Sequence, residues 1–169
     1  MYGWRIESLK VVAVVGNPKP ASRTRRAAEL VAERVTGAAP TVIELAELGP
    51  ALLGWGDSAV GAAKQVVLDA DLVVFASPTY KATYTGLLKL FLEQFGAGEL
   101  GGTKAIALML GASPHHALAG ELTLRPVLTE IGCSCPAPAL FLLESAWEAS
   151  PELDSWVERA RRVLGAEPG

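Results

Sequence analysis

The residues best suited to chemistry follow an apolar run near the start of the chain. Val11 to Val15 is uninterrupted and mostly β-branched, and Gly16 ends the run. Amide, ammonium, guanidinium and hydroxyl donors come next, from Asn17, Lys19, Ser22, Arg23 and Thr24. A helical pattern begins at once, so its first turn adds free backbone N–H groups to these donors. Donors and positive charge at a helix N-terminus predict a phosphate site.

Two further loops carry candidate binding residues. The second loop follows an apolar run and supplies Ser77, Pro78, Thr79, Tyr80 and Tyr84. The third loop consists of small residues that let a flat group approach the backbone, namely Gly111, Ala112 and Ser113. Taken singly, the hydroxyls of the first loop could only cap a helix, and the tyrosines could only pack. Taken together, a phosphate site beside a flat, aromatic slot suits flavin mononucleotide (FMN).

The elements that must position these loops alternate between strand and helix patterns. Apolar runs predict strands at 9–15, 41–45, 72–76, 104–110 and 139–143. Helical spacing predicts helices at 23–35, 58–69, 86–95, 117–131 and from about 150. This alternation predicts an α/β fold with a doubly wound parallel sheet of five strands, in the order 2-1-3-4-5. The three loops then converge on one crevice, because they follow neighbouring strands.

Some local features carry expectations of their own. Residues 46–57 are rich in glycine and proline and predict a loop, which we expect Trp55 to anchor on the core. Pro126 predicts an interruption of the helix over 117–131, because proline removes a donor and clashes with the preceding turn. Residues 1–8 form a short lead-in without the pattern of a signal peptide.

Composition and missing motifs exclude several classes. With 169 residues, half of them apolar, we expect one domain over 1–169. A net charge of −3 without a basic face argues against nucleic acid, and no apolar run reaches the roughly 18 residues that span a bilayer. Cys133 and Cys135 alone fall short of a zinc site, and His115 and His116 lack partners, so we expect no metal. We expect a cytoplasmic protein with reduced cysteines.

Other nucleotide and hydrolase motifs are absent from the sequence. The chain has neither the G-x-x-x-x-G-K-[ST] pattern of P-loop proteins nor the G-x-G-x-x-G pattern of dinucleotide folds. It also has no G-x-S-x-G elbow, and its histidines have no placed nucleophile, which argues against a hydrolytic triad.

Four segments resemble the NAD(P)H-dependent FMN reductase family, in particular the branch that serves two-component alkanesulfonate monooxygenases. Residues 16–24 resemble its Gly-Ser-Pro-basic-x-x-Ser-Arg-Ser/Thr loop. Residues 77–89 closely resemble its (Ser/Thr)-Pro-x-Tyr-Lys-x-x-Tyr-(Ser/Thr)-Gly-x-x-Lys segment. Residues 110–116 resemble Thr-Gly-Gly-Ser…His, and 124–128 resemble Leu-Lys-Pro-Val-Leu. The chain departs at Asn17, Ala112 and Leu122; the last replaces an inserted tyrosine, which weighs against a helix bulge there.

The resemblance implies a flavodoxin-like fold that binds FMN and NAD(P)H. It implies FMN phosphate contacts from Ser22, Arg23 and Thr24, with Asn17 and Lys19 nearby. The remaining cofactor-binding residues that it implies, mostly around the isoalloxazine ring, are Ser77, Pro78, Thr79, Tyr80, Gly111, Ala112 and Ser113. It also implies a homodimer or homotetramer built partly on the helix over 86–95, which is apolar nearly all round.

Three functions remain open at this stage. The favoured one is an oxidoreductase that passes a hydride from NAD(P)H to FMN and supplies reduced flavin to a monooxygenase. The alternatives are a flavoprotein that retains FMN and reduces quinones, azo compounds or metal ions, and a flavodoxin-type carrier or sensor. No catalytic side chain is expected, because hydride transfer between stacked rings mainly needs alignment. The sequence does not separate NADH from NADPH.

Overall fold

Uninterrupted apolar runs form the middle of the sheet, because helices cover both faces of a parallel sheet. The structure is a computed structural model that describes residues 9–165, so the lead-in predicted at 1–8 lies outside the described residues. β1 (Val11–Val15) and β3 (Leu72–Pro78) are buried along their whole length. β4 (Lys104–Gly111) is buried except at its first residue. β2 (Thr41–Glu44) and β5 (Leu140–Leu143) are partly exposed.

The sheet has the order β2-β1-β3-β4-β5, and all of its strand pairs are parallel. This confirms the predicted doubly wound, flavodoxin-like sheet. The winding reverses between β1 and β3, which is where ligands bind in open α/β sheets. Val15, the last residue of β1, pairs with Ala76, and β3 continues for two more residues to Pro78, which pairs with Leu110 near the end of β4. The loops after β1, β3 and β4 therefore leave from one edge.

Six α-helices in the described part of the chain cover the sheet. They are α1 (Arg23–Thr36), α2 (Leu45–Leu48), α3 (Ser58–Leu68), α4 (Gly86–Leu92), α5 (Arg125–Glu130) and α6 (Pro151–Leu164). α1 and α6 pack together in one hydrophobic cluster, and the other four helices belong to a second cluster. Side chains alternate along β1, so Ala13 faces the first cluster and Val12 faces the second.

Residues 46–57 are not the open loop that their composition predicts. α2 begins at Leu45, and a 3₁₀ helix (Gly49–Leu53) follows it directly. Leu45 and Leu52 are buried, so packing on the core overrides the glycine and proline signals. The prediction for Trp55 is also wrong, because its side chain is 76% exposed.

The predicted helix over 117–131 is divided. A 3₁₀ turn (Pro114–His116) precedes a π-helical turn (Gly120–Leu124), and α5 begins only at Arg125. Pro126 lies in the first turn of α5, where proline is tolerated, so the interruption comes before it. The π-helical turn is a helix bulge, and the expectation drawn from Leu122 is therefore wrong.

Several boundaries differ from the prediction by a few residues. β3 extends to Pro78 and β4 extends to Gly111, so the first residues assigned to loops two and three are strand residues. α4 ends at Leu92 rather than at Phe95, although the Phe91 and Phe95 rings still make an edge-to-face contact at 5.4 Å. Loops two and three are therefore shorter than predicted, because their first residues belong to the sheet.

A buried hydroxyl ties the ends of β1 and loop two together. Thr85 is the N-cap of α4, and its Oγ1 accepts a hydrogen bond from the Leu88 N–H at 3.2 Å. The same Oγ1 donates to the Gly16 carbonyl oxygen at 2.6 Å. Gly16 has room for no side chain, since a Cβ there would lie 2.7 Å from the Leu88 Cβ. Thr85 therefore fixes the start of loop one against α4.

We expect Thr85→Val to lower the free energy of unfolding by about 2–4 kcal/mol, because it strands two buried backbone groups and removes a helix cap. Thr85→Ser is the matched control; it keeps the hydroxyl and should lose roughly 1 kcal/mol for the missing methyl group. Urea unfolding of both variants measures the difference. Equal losses in the two variants would contradict a role for the hydroxyl.

Candidate functional site

Loop one, residues 16–22, ends in a capped helix that presents donors. The Ser22 Oγ accepts a hydrogen bond from the Arg25 N–H at 3.2 Å, so Ser22 is the cap. The Asn17 side-chain amide donates to the Thr24 Oγ1 at 3.0 Å and holds loop and helix together. Helix geometry leaves the N–H groups of Arg23 and Thr24 without an acceptor inside α1. These groups are suited to an anion.

The first turn of α1 carries a charge pattern that a helix dipole disfavours. It holds Arg23, Arg25 and Arg26 and no acidic residue, although the N-terminal end of a helix is already partly positive. Arg25 is partly neutralised by Glu44, at 3.2 Å, and Arg26 lies 5.5 Å from the centre of the Trp147 ring. A bound anion would stabilise this concentration of positive charge.

The buried Glu44 carboxylate, at the end of β2, fixes the shape of loop one. Its Oε1 accepts a hydrogen bond from the Ala21 N–H at 2.9 Å, and its Oε2 accepts one from the Arg25 Nη1 at 3.2 Å. Ala21 has φ of 50°, in the left-handed region that costs an alanine roughly 1–2 kcal/mol. Glu44 holds the loop in this strained form. Glu44 carries no signal of this role in the sequence, because it continues the strand pattern of β2.

A second carboxylate reaches loop one from the far end of the sheet. Glu144 follows β5, and its N–H donates to the Gly111 carbonyl oxygen at 3.0 Å. The Arg23 Nη2 lies 3.2 Å from the Glu144 Oε2, and the Arg23 Nη1 donates to the Glu144 carbonyl oxygen at 3.4 Å. The sequence carries no signal for this contact, since 121 positions separate the two residues.

Loop two, residues 79–85, begins with a tight turn. Tyr80 and Thr83 exchange backbone hydrogen bonds in both directions. Between them, Lys81 and Ala82 have φ of 52° and 68°, values that such two-residue turns usually assign to Asn-Gly. The Thr83 hydroxyl donates to the Thr123 Oγ1 at 2.8 Å. Loop two is thereby fastened to the π-helical turn.

Two hydroxyls near the end of β3 have contrasting surroundings. Ser77 is fully buried; its Oγ donates to the Pro78 carbonyl oxygen at 2.8 Å and accepts from the Thr85 N–H at 3.0 Å. Ser77 thus braces loop two from behind. The Thr79 Oγ1 is also buried, but it has no hydrogen-bond partner within residues 9–165. Leaving such a group unpaired costs roughly 1–3 kcal/mol, which a bound ligand could recover.

Loop three begins at the last residue of β4. A Cβ on Gly111 would lie 2.7 Å from the Phe141 Cζ and 3.3 Å from the Thr79 Oγ1, so a side chain fits there only if the ring moves. Ala112 is exposed, and Ser113 caps the following 3₁₀ turn. Gly111 therefore packs closely against the Phe141 ring and Thr79, and only a glycine fits there without a shift of that ring.

Loops one and two enclose a cavity of about 440 Å³ at the switch point between β1 and β3. Small-molecule sites in proteins have volumes of roughly 300–1,000 Å³. Seven of the predicted site residues line it, namely Asn17, Lys19, Ser22, Arg23, Thr24, Pro78 and Tyr80. The other five do not line it and lie at the ends of β3 and β4, namely Ser77, Thr79, Gly111, Ala112 and Ser113.

Further features of the described residues bear on whether they form a metal site, a reactive thiol or a membrane-spanning helix. Residues 9–165 bring together no group of three or more His, Cys, Asp or Glu side chains that could hold a metal ion. Burial raises the pKa of the Cys133 thiol to about 12, so this thiol is a poor nucleophile. None of the described helices has the length and apolar character needed to cross a membrane.

The chemistry of the site fits a flavin mononucleotide. A capped helix N-terminus, two unpaired N–H groups and exposed cations suit the phosphate. At the other end, the unpaired Thr79 hydroxyl suits a flat ring with polar edges. Both ends of the expected ligand therefore have matching groups on this chain.

Comparisons with known proteins agree with this chemistry. Residues 9–148 match the model of a family described as NADPH-dependent FMN reductase. The NADH-dependent FMN reductase SfnF of Pseudomonas putida is 30% identical over 166 residues, which cover 92% of this chain and 89% of that protein. An FMN reductase (NADPH) of Escherichia coli (strain K12) is 30% identical over 128 residues, or 73% of this chain and 67% of that protein.

A solved structure extends the agreement to three dimensions. The apo form of an NADH:FMN oxidoreductase (EMOB) superposes with a TM-score of 0.83 at 31% identity, and the match covers 94% of this chain and 89% of that one. The matches in sequence and in structure confirm the resemblance drawn from the loop motifs, and the chain belongs to the NADPH-dependent FMN reductase family.

Proposed function

We propose that this protein passes a hydride from NAD(P)H to FMN and releases the reduced flavin to a separate monooxygenase. One observation carries the proposal: a capped helix N-terminus with three arginines in its first turn opens into the cavity at the switch point of a flavodoxin-like sheet. The names of the similar reductases support FMN as the flavin. The resemblance of residues 77–89 to the monooxygenase-associated branch supports transfer of the reduced flavin to a monooxygenase.

The phosphate of FMN is proposed to bind at the start of α1. The N–H groups of Arg23 and Thr24 point out of the helix end, and the Ser22 hydroxyl can donate while its oxygen caps the helix. Lys19 and Arg23 are exposed beside them and add charge. Asn17 holds Thr24 and shapes the loop.

The isoalloxazine ring is proposed to lie against loops two and three. Pro78, Thr79 and Tyr80 form one side, and Gly111 with Ala112 and Ser113 forms the other. The buried, unpaired Thr79 hydroxyl supports this placement. The fully buried Ser77 would act indirectly, through its hydrogen bonds to Pro78 and Thr85.

Catalysis is proposed to need alignment rather than a protein acid or base. When bound, FMN supplies the ring that accepts the hydride. The chain would hold that ring between loops two and three, and the hydrogen bonds of Thr85 and Glu44 fix the loops that surround it. Held geometry of this kind supplies up to roughly 7–11 kcal/mol of a barrier in the best cases.

The assembly is proposed to be a homodimer or homotetramer of single-domain chains in the cytoplasm. Leu87 and Leu90 of α4 are only partly buried in one chain, and an apolar groove of about 470 Å³ lies between α4 and α5. Leu118, just before the π-helical turn, and Leu122, within it, are 64% and 67% exposed. These apolar surfaces support contacts between copies of the chain.

The function is tested by NAD(P)H oxidation under air, with no flavin, with FMN and with FAD. We expect a colourless protein that turns over only with added flavin, and best with FMN, because the site is built for a terminal phosphate. A yellow protein that needs a quinone or azo acceptor would instead support a retained flavin. Failure to bind flavin or to oxidise NAD(P)H would contradict the proposal.

Variants of loop one test the phosphate site. We expect Ser22→Ala and Arg23→Ala each to raise the Kd for FMN by about 10- to 100-fold, because each charge-assisted contact contributes roughly 1.5–3 kcal/mol. Riboflavin, which lacks the phosphate, should bind these variants as it binds the original protein. Flavin fluorescence titration measures both affinities.

The matched controls for loop one remove a comparable helix cap and a comparable ion pair at positions away from the cavity. Ser150→Ala removes the cap of α6, and Arg34→Ala removes an ion pair with Asp154 at the other end of α1. Both controls should leave FMN affinity within about twofold. Unchanged FMN affinity in Ser22→Ala and Arg23→Ala would remove loop one from the site.

Thr79→Val tests the ring end of the site. Because the Thr79 hydroxyl is buried and unpaired, we expect the flavin-free variant to gain roughly 1 kcal/mol in the free energy of unfolding. FMN and riboflavin should both bind about 2- to 10-fold more weakly, since a ring contact does not depend on the phosphate. Urea unfolding and titration measure the two effects. Unchanged flavin affinity would show that Thr79 does not contact the ring.

A further inference from the structure

Glu144 is the exception in the cavity that is proposed to hold FMN. Lys19, Arg23 and Arg26 line that cavity and are cationic, whereas Glu144 is the acidic residue among the described residues that line it. A carboxylate beside a phosphate site opposes binding, because the ligand carries a charge of the same sign. Glu144 is therefore expected to weaken the binding of a phosphate in this cavity.

The Glu144 side chain competes directly for the phosphate-binding guanidinium. The Arg23 Nη2 lies 3.2 Å from the Glu144 Oε2, which is the distance of an ion pair. The neighbouring Arg23 Nη1 donates to the Glu144 carbonyl oxygen at 3.4 Å. Both terminal nitrogens of Arg23 thus already have acceptors on Glu144. A phosphate that binds Arg23 must displace or share these contacts.

The backbone keeps Glu144 in this position. Its N–H donates to the Gly111 carbonyl oxygen at 3.0 Å, directly after the last pair of the β4–β5 ladder. The Glu144 backbone is therefore fixed beside the cavity, and rotation of the side chain is what moves the carboxylate aside. The Arg23 and Glu144 side chains are 54% and 31% exposed, so this ion pair can open without a large cost.

The other acidic residue beside loop one does not compete in this way. Glu44 is buried, and its two oxygens accept from the Ala21 N–H and from Arg25. Glu44 fixes the shape of loop one and forms an ion pair with Arg25, whereas the ion pair of Arg23 is with Glu144. The two carboxylates therefore have separable effects: Glu44 supports the loop and Glu144 opposes the ligand.

We propose that Glu144 sets the affinity for FMN by holding Arg23 in an ion pair that the flavin phosphate must displace. This inference rests on the proposed function and deepens it, because a reductase that hands over its flavin needs binding weak enough for exchange. Glu144 acts on the phosphate and not on the ring. Affinity changes at one site mostly change the dissociation rate, so Glu144 favours release.

The test compares Glu144→Gln with the original full-length protein. Glutamine keeps an oxygen that can accept from Arg23 but removes the charge, so the geometry of the pair is largely preserved. We expect the Kd for FMN to fall by roughly three- to tenfold, since an exposed ion pair and a like-charge contact each contribute modestly. The KM for FMN should fall with it, while kcat does not rise. Riboflavin should bind both proteins equally.

Glu158→Gln is the matched control, because it makes the same change of net charge at an exposed position on α6. It should leave both flavin affinities unchanged. Three results would overturn the inference: an unchanged or higher Kd for FMN in Glu144→Gln, an equal gain for riboflavin, or the same gain in Glu158→Gln. If the original protein binds no FMN, the proposed function itself fails, which separates that failure from this one.

Discussion

The parallel pairing of β1 with β3 is the constraint on which the site depends. Both strands are buried on both faces, so their register is fixed by packing against two hydrophobic clusters. The Thr85 hydroxyl then joins the two strand ends, by donating to the Gly16 carbonyl oxygen and capping α4. Loop one and loop two are therefore held relative to each other by the sheet and one buried hydrogen bond. The proposed positions of the phosphate and the ring both depend on that arrangement.

The charges around the start of α1 are both positive and negative. Three arginines crowd a helix end that is already positive. Glu44 at the end of β2 and Glu29 on the same helix pair with Arg25, and Glu144 after β5 pairs with Arg23. Glu44 is buried and keeps the strained Ala21 in place, so it belongs to the structure of loop one. Glu144 is partly exposed and pairs with Arg23, whose side chain is 54% exposed. In the proposed function, this arrangement attracts the flavin phosphate, and Glu144 weakens its binding.

The sequence predicted the features that depend on local pattern. Apolar runs indicated the strands, loop motifs after three of them indicated one crevice, and the resemblance indicated the family. Features that depend on distant partners were not predictable: Glu144 meets Arg23 across 121 positions, and Glu44 meets Ala21 across 23. The π-helical turn around Leu122 and the burial of Leu52 were missed for the same reason, since packing on the sheet overrides local propensity. Whether the predicted site residues contact FMN stays a prediction.

The central claim is that one FMN spans the end of α1 and the ends of β3 and β4. A crystal structure of the full-length protein soaked with FMN tests it most directly. The account predicts the phosphate at the N–H groups of Arg23 and Thr24, the ring beside Thr79 and Gly111, and Glu144 turned away from Arg23. A flavin bound in the groove between α4 and α5, or one bound with its phosphate away from α1, would contradict the account.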